Sequence, residues 1–299
     1  MIFDKKVLLP TVTALTFAGS FVAAKYATSE LPPLTITFLR YIVAFIFLTG
    51  LLPYYKSSSL KVAGKDIIPL ILLGLFGIVG YHFFFFTSLK YTAVANTAII
   101  NATSPVITGI IAAIFIGERM RAANYAGIIV ALTGVMILLT KGNMGYLFGL
   151  NFNLGDILMI CAVVCWAVYA ILVQRLSGKY GSYTITYYAA LFGVIQLLVL
   201  ALIKDDLRLV ASISLKSILS ILYMGIIASG IGYFLYNMSI RRIGPTRTSS
   251  FVHSFVPVFV TVLGYIFFSE AVTAIIVISA LLILVGLHLT LRDKSASRP

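Results

Sequence analysis

Groups able to hold a surface in water are scarce in this chain. Only 10% of its 299 residues are charged, and only nine are Asp or Glu, where a soluble domain carries about a quarter charged residues. That is too little polar skin for a globule in water. Cysteine is nearly absent as well. Cys161 and Cys165 lie four apart on one helical face, badly placed for a disulfide, and are read as small packing residues. His82, His253 and His288 show no metal-ligand spacing, and no cofactor is expected. The chain has no GxxxxGK[ST] phosphate loop, so ATP-driven work would need another subunit.

What the chain has in abundance is apolar length. Apolar residues make up 61% of it, and its mean hydropathy is +1.06. Crossing ~30 Å of hydrocarbon takes roughly 20 apolar residues at 1.5 Å rise each. Ten runs qualify: Val7–Ala27, Leu34–Leu52, Ile67–Leu89, Thr92–Ile116, Ala122–Thr140, Asn153–Val173, Tyr183–Ile203, Ile218–Ile240, Thr248–Ser269 and Ala271–Leu291. The first has a basic start but is too long for the apolar core of a signal peptide, and further spans follow it. The expected fold is an all-α integral membrane protein of ten transmembrane helices, with membrane lipid as its solvent.

The net charge of +13 could suggest nucleic acid, but its distribution follows the membrane instead. With the N-terminus inside, fifteen Lys and Arg fall in inner loops and termini and five in outer ones. That asymmetry predicts both termini in the cytoplasm of a plasma or inner membrane, and a basic inner side suits an anionic leaflet. No nucleic-acid partner is expected.

The sequence also repeats. At an offset of 152, Gly80-Tyr81 meets Gly232-Tyr233, Pro105-Val106 meets Pro257-Val258, Glu118 meets Glu270 and Gly134 meets Gly286. Thr35-Ile36-Thr37 meets Thr184-Ile185-Thr186 at an offset of 149. Five helices per copy is an odd number, so the second copy must enter the membrane inverted, an architecture common among secondary transporters. The expected organisation is residues 1–142 and 153–299 as two five-helix repeats, joined by a Gly- and Asn-rich linker at 143–152.

Several stretches carry a family resemblance: FAGSFVAAKYA and LPPLTITFLRY in helices 1–2, GYHFFFFTSLKYTAVANTAIINATSPV into GERM in helices 3–4, and NFNLGD with CWAVYAILVQRL in helix 6. Each half resembles an EamA domain, and the whole, from Val7 to about Leu291, resembles the drug/metabolite transporter superfamily. Phe17-Ala18 stands where many members have Trp-Gly, while Trp166 keeps the aromatic in the second copy. The resemblance implies a ten-helix transporter, often an exporter of amino acids, metabolites or toxic amphiphiles.

Ionisable groups inside apolar spans are costly and are candidates by default. Lys25 and Arg40 are expected to reach the outer interface with Glu30 as partner; the rival reading is attraction of an anionic substrate group. Glu118, Glu270 and Asp156 sit at helix starts, where a carboxylate caps free N–H groups. Pro105 and Pro257 lack the N–H that would pair the carbonyls of Asn101 and His253. Those groups should then face the bundle interior or a watered cavity, unless Ser, Thr or water satisfies them. His82 and His253 are read as hydrogen-bonding residues, with a proton as the candidate coupling ion because an unperturbed imidazole titrates at about 6.5.

Aromatic residues supply the candidate cavity wall: Tyr81 on helix 3, Trp166 and Tyr169 one turn apart on helix 6, Tyr233 on helix 8 with Asn237 at i+4. An apolar cavity with a few polar groups suits amphiphilic or aromatic cargo. The candidate substrate-binding set is therefore Tyr81, His82, Asn101, Trp166, Tyr169, Tyr233, Asn237 and His253, with helix kinks at Pro105 and Pro257. The function expected is secondary transport of small metabolites, by export of amino acids or related amphiphiles. Import or uncoupled facilitation is the alternative. A lipid-modifying enzyme is disfavoured because no His, Asp and Glu cluster at one membrane face.

The charge count gives a direct test of orientation. Single cysteines at Ser58 or Lys179 should resist an impermeant thiol reagent applied outside whole cells, and cysteines at Asn143 or Asp206 should label; the reverse pattern overturns the topology.

Overall fold

The computed structural model describes residues 5–54, 60–92, 94–143, 145, 153–204, 213–268 and 274–291. Among these residues the chain is all helical. Nine helices are long and apolar enough to cross a membrane: α1 (Val7–Ala27), α2 (Pro33–Tyr54), α3 (Gly64–Ser88), α4 (Asn96–Ile116), α5 (Ala122–Leu139), α6 (Leu154–Leu176), α7 (Ser182–Ile203), α8 (Leu215–Ile243) and α9 (Pro245–Phe267). The tenth expected span is represented by a shorter apolar helix, α10 (Ala274–Thr290). Glu270 and nearly all of the 143–152 linker lie outside the described residues.

Local chemistry sets the helix ends. Gly117 takes φ 64°, a left-handed conformation that stops α4. Gly244, at φ 84°, separates α8 from α9, which starts on Pro245, where a missing N–H costs nothing. Asn153 and Asp156 cap α6 reciprocally: the Asn153 N–H donates to Asp156 Oδ2 at 3.0 Å and the Asp156 N–H donates to Asn153 Oδ1 at 3.2 Å. Asp156 thus behaves as its position predicts. Glu118 does not. Its carboxylate passes over α5 and accepts from Thr246 Oγ1 at 2.6 Å, across the bundle at the start of α9. Burial pushes this carboxyl up from its ordinary range, and the Thr246 hydroxyl and N–H pull it back.

Glu30 departs from expectation in the same way. It accepts from the Ser214 N–H at 2.7 Å and its hydroxyl at 2.6 Å, capping the start of α8. Those two donors hold it below the usual carboxylate range. A carboxylate is drawn to the nearest ordered set of free helix N–H groups, and in both cases that set belongs to a helix distant in sequence.

Two helices are locally underwound. Leu75–Gly80 of α3 and Met224–Gly232 of α8 are π-helical, and they end on glycines that the 152-residue offset superposes. π segments add a residue to the turn and concentrate at functional sites. Their glycines admit close neighbours: Gly80 abuts Cys165 of α6, and Gly232 abuts Thr16 and Phe17 of α1.

The same correspondence governs packing between α5 and α10. Gly134 sits against Ser279 and Ile283, and Gly286 against Gly127 and Ala131. Adding 152 to the α5 numbers converts one set of neighbours into the other. α1 packs on α8 and α9 as α6 packs on α3 and α4, while α2 with α7, and α5 with α10, pair with their own counterparts. Isoleucines, leucines and phenylalanines such as Ile114, Phe115, Leu202, Ile266 and Phe267 stay exposed on the outside, a surface that suits lipid.

The α5–α10 contact has no room for a side chain at its glycines. Gly286→Val should lower the thermal midpoint in detergent, by an overpacking cost of about 1–3 kcal/mol. Gly50→Ala, where nothing lies within 4 Å, should leave it within experimental scatter.

Candidate substrate site

Trp166 is the hub of the bundle interior. Its ring lies 5.0 Å from Tyr236, 5.2 Å from Tyr81, 5.5 Å from both Tyr169 and Tyr233, and 6.3 Å from Phe17, centroid to centroid. Tyr41 joins through Tyr233 at 5.7 Å. Five helices thus contribute rings to one cluster: α1, α2, α3, α6 and α8. Tyr41, Trp166, Tyr169, Tyr233 and Tyr236 are each no more than 4% exposed. The rings pack edge to face and tilted, as aromatic quadrupoles prefer, and they fill the space between the helices.

The π segment of α3 explains why the rings fit. Tyr169 lies flat against Gly77, where any Cβ would collide with its ring, and the Tyr233 hydroxyl donates to the Gly77 carbonyl at 3.1 Å. A π turn loosens the i→i−4 ladder, so such a carbonyl is open to a side-chain donor. The deepest polar contact is a relay between helices. The Tyr169 hydroxyl donates to Asn237 Oδ1 at 2.9 Å, and Asn237 Nδ2 donates to Thr186 Oγ1 at 2.9 Å, tying α6, α8 and α7 together.

Both histidines border the cluster. His82 meets Tyr81 at 5.2 Å and Tyr41 at 5.8 Å, and His253 meets Trp166 edge-on at 6.4 Å. His82 Nδ1 stands 2.7 Å from the Ile78 carbonyl and His253 Nδ1 3.0 Å from the Ser249 carbonyl. A carbonyl only accepts, so in each ring Nδ1 carries a proton.

The two members of the proline-linked pair are arranged differently from each other. α4 breaks at Thr103 into Val94–Ala102 and Ser104–Ile116, with Pro105 at the start of the second piece. The Asn101 carbonyl is not left open there: Ser104 Oγ donates to it at 2.6 Å. Pro257 instead lies within the continuous helix Pro245–Phe268. The Asn101 side chain neighbours Tyr81, while His253 neighbours Trp166. No hydrogen bond joins the two among the described residues, so they flank the aromatic cluster and do not meet each other.

Arg40 also departs from its expected place. Its Nε donates to Ser229 Oγ on the π segment of α8 at 2.8 Å, and its guanidinium carbon stands 5.5 Å over the Tyr41 ring. Glu30 is committed to Ser214, and the Ser229 hydroxyl is a nearer partner inside the bundle. Phe17, Tyr41, Tyr236 and Thr186 belong to this centre without having been singled out as binding residues. Phe17 had a signal, since it aligns with Trp166 at the 149-residue offset. Tyr41 had none, being one of 17 tyrosines. Three buried polar atoms in the cluster, the Trp166 indole N–H and the Tyr41 and Tyr236 hydroxyls, make no hydrogen bond of ordinary geometry. A set of rings edged by indole and phenol donors is chemistry suited to an amphiphilic aromatic molecule.

Comparison with known proteins bears on this centre. Residues 5–140 and 153–292 each match the EamA-like transporter family. The chain is 29% identical over 278 residues to the uncharacterized transporter YyaM of Bacillus subtilis, covering 90% of this chain and 88% of that one. It is 28% identical over 167 residues to the aromatic amino acid exporter YddG of Ancylobacter novellus, covering 55% of this chain and 57% of the exporter. A solved crystal structure of 21% identity superposes over 96% of each chain with a TM-score of 0.78, which establishes the fold.

The buried relay makes a measurable claim on stability. Tyr169→Phe removes the donor and leaves Asn237 Oδ1 buried without it, at a cost of about 1–3 kcal/mol. Thermal unfolding followed by the emission of Trp166, the sole tryptophan, should show that loss; an unchanged midpoint would refute the relay.

Proposed function

The chain belongs to the EamA-like transporter family, and from that premise we propose that it is a secondary transporter exporting amino acids or related amphiphiles, aromatic ones foremost. The observation that carries the reading is the convergence of five helices on one buried aromatic centre, built against a π-helical turn of α3 and reaching α8. Membership and the relatives' names give a membrane transporter. The cargo and the direction are our reading, supported by the ring chemistry and by the partial similarity to an aromatic amino acid exporter.

In this reading residues 1–142 and 153–299 are inverted five-helix repeats. The matched glycine contacts between α5 and α10, and the exchange of α1, α8 and α9 for α6, α3 and α4, support a two-fold relation. The odd number of helices per copy then demands inversion. Transport proceeds by rocking of the halves about the centre. The π turns, held by packing rather than by a full hydrogen-bond ladder, are the places where α3 and α8 bend. As the halves part, the ring cluster opens and a cargo ring replaces one of its internal contacts.

Both ends of the path carry ties between distant helices. At the end that the charge count places inside, Glu118 holds Thr246, Lys179 pairs with Asp66 at 2.8 Å, and the Tyr180 hydroxyl donates to Asp66 Oδ2 at 2.7 Å. The Asp66 hydrogen bond raises the Lys179 ammonium above its ordinary value. At the opposite end Glu30 holds Ser214. Lys179 and Glu30 are exposed in these contacts, and an ion pair open to solvent on one side is weak, as gates that open in turn require. Of the carboxylates in the described residues, none lies at mid-membrane. That favours an uncoupled facilitator as the second reading, with proton coupling through His253 or His82 as the coupled form.

Transport by the purified protein in liposomes tests the proposal. Labelled phenylalanine should move, and Trp166→Ala and Tyr233→Ala should each cut its rate about tenfold relative to a small amino acid, since losing a tight aromatic contact is worth roughly 1.4 kcal/mol or more. Normal transport by both variants at unchanged abundance would overturn the aromatic site. A pH gradient that accelerates the wild type but not His253→Gln would assign the proton; the same response in both would remove His253 from coupling.

A further inference from the structure

We propose that Arg40 is the anchor for a carboxylate on the transported molecule, so the cargo is an acid or zwitterion and not a plain amine. This inference rests on the transporter reading above and specifies what its site selects. Arg40 lies within an apolar stretch of α2, FLRYIVAF. Its side chain is a guanidinium, a planar cation with five N–H donors. A charge held in a membrane span is costly unless something negative or strongly polar answers it, and such residues mark substrate pathways.

The protein does not supply the answering charge among its described residues. Each carboxylate there is engaged elsewhere: Glu30 with Ser214, Asp66 with Lys179 and Tyr180, Glu118 with Thr246, Asp156 with Thr92 and Asn153. Among these residues the ion pair formed is Lys179–Asp66. Arg40 is gripped by one edge and one face only. Its Nε donates to Ser229, which is 1% exposed, and its plane overlooks the Tyr41 ring. A guanidinium held through Nε keeps its two terminal amino groups as a fork, the geometry that takes a planar carboxylate bidentately.

A second feature points to the same ligand. The Tyr41 hydroxyl, on a side chain 1% exposed, lies beside the hydroxyls of Ser229 and Tyr233. An anion on the Arg40 fork stands next to these buried O–H groups, each of which can donate to it. The anchor is also placed for an amphiphile. The Tyr41 ring stands 5.7 Å from Tyr233, which stands 5.5 Å from Trp166. A molecule with a carboxylate at Arg40 would set an attached ring into the aromatic cluster. A lipid phosphate carries similar chemistry, but it would have to enter between α2 and α8 without using the rings.

Trp166 is the only tryptophan and lies in this cluster, so its emission reports occupancy directly. The full chain in neutral detergent is titrated with phenylacetate, L-phenylalanine, phenethylamine and dioctanoyl phosphatidylglycerol. We expect saturable changes with the two carboxylates and a midpoint about tenfold weaker for phenethylamine, the ratio equivalent to 1.4 kcal/mol. Arg40→Gln should weaken the carboxylates at least about tenfold and leave phenethylamine within about twofold, with Arg40→Lys between. Ser229→Ala, which keeps the charge and drops the Nε tether, should weaken the carboxylates about threefold, and it decides the matter if Arg40→Gln does not retain the wild-type elution profile. The proposal is overturned if carboxylate midpoints are unmoved by these variants, if phenethylamine binds as well as phenylacetate, or if only the phospholipid responds. Carboxylate binding through Arg40 without phenylalanine transport in liposomes would sink the transport reading alone. Phenylalanine transport unchanged by Arg40→Gln would sink the anchor alone.

Discussion

Hydrocarbon offers no hydrogen bonds, so every polar group within the bundle must find its partner in the protein. Much of the structure follows from that constraint. Threonine and serine hydroxyls along the spans donate to carbonyls three or four residues earlier, as in Thr11 to Val7, Thr37 to Pro33, Thr87 to Phe83 and Thr290 to Gly286. The histidines do the same through Nδ1. The proline break in α4 is repaired by Ser104. Among the described residues the carboxylates lie at helix ends, where Glu30 and Asp156 accept from backbone N–H groups, Glu118 from the Thr246 hydroxyl, and Asp66 from Lys179 and Tyr180.

The groups that escape this local solution are the ones that cross between helices, and they define the centre. Asn237 has no backbone partner at hand and is satisfied by Tyr169 and Thr186, which fixes three helices in register. Tyr233 reaches a carbonyl that a π turn has released. Arg40 reaches Ser229 on the other π turn. Underwinding a helix costs part of its ladder; on α3 the Tyr233 hydroxyl takes up the Gly77 carbonyl, while on α8 the contact from the distant helix is to the Ser229 hydroxyl.

Glycine supplies the complementary half of the design. Without a hydrophobic drive between helices in lipid, close van der Waals contact is what holds them. At Gly127, Gly134 and Gly286 it lets α5 and α10 touch backbone to backbone, and at Gly77 it lets an aromatic ring lie on a helix. The first contact is a close backbone seam, and the second sits where α3 is underwound.

Much of this was legible in the sequence. Apolar run length fixed the all-helical membrane class, because span length is set by the bilayer and hardly by tertiary contacts. The offset of 152 marked Gly80 with Gly232 and Gly134 with Gly286 as equivalent, and the structure places each pair in matching packing. Trp166 with Tyr169, and Tyr233 with Asn237, were paired by helical spacing, since i, i+3 and i, i+4 neighbours share a face whatever the surroundings, and the repeat match to Tyr81 singled out Tyr233. Which face meets which was not legible. Nothing local distinguishes Tyr41 from other tyrosines, tells Glu118 to cap α9 rather than α5, or turns Arg40 from Glu30 to Ser229. Those choices depend on distances between residues more than a hundred positions apart, and such distances exist only once the helices have packed.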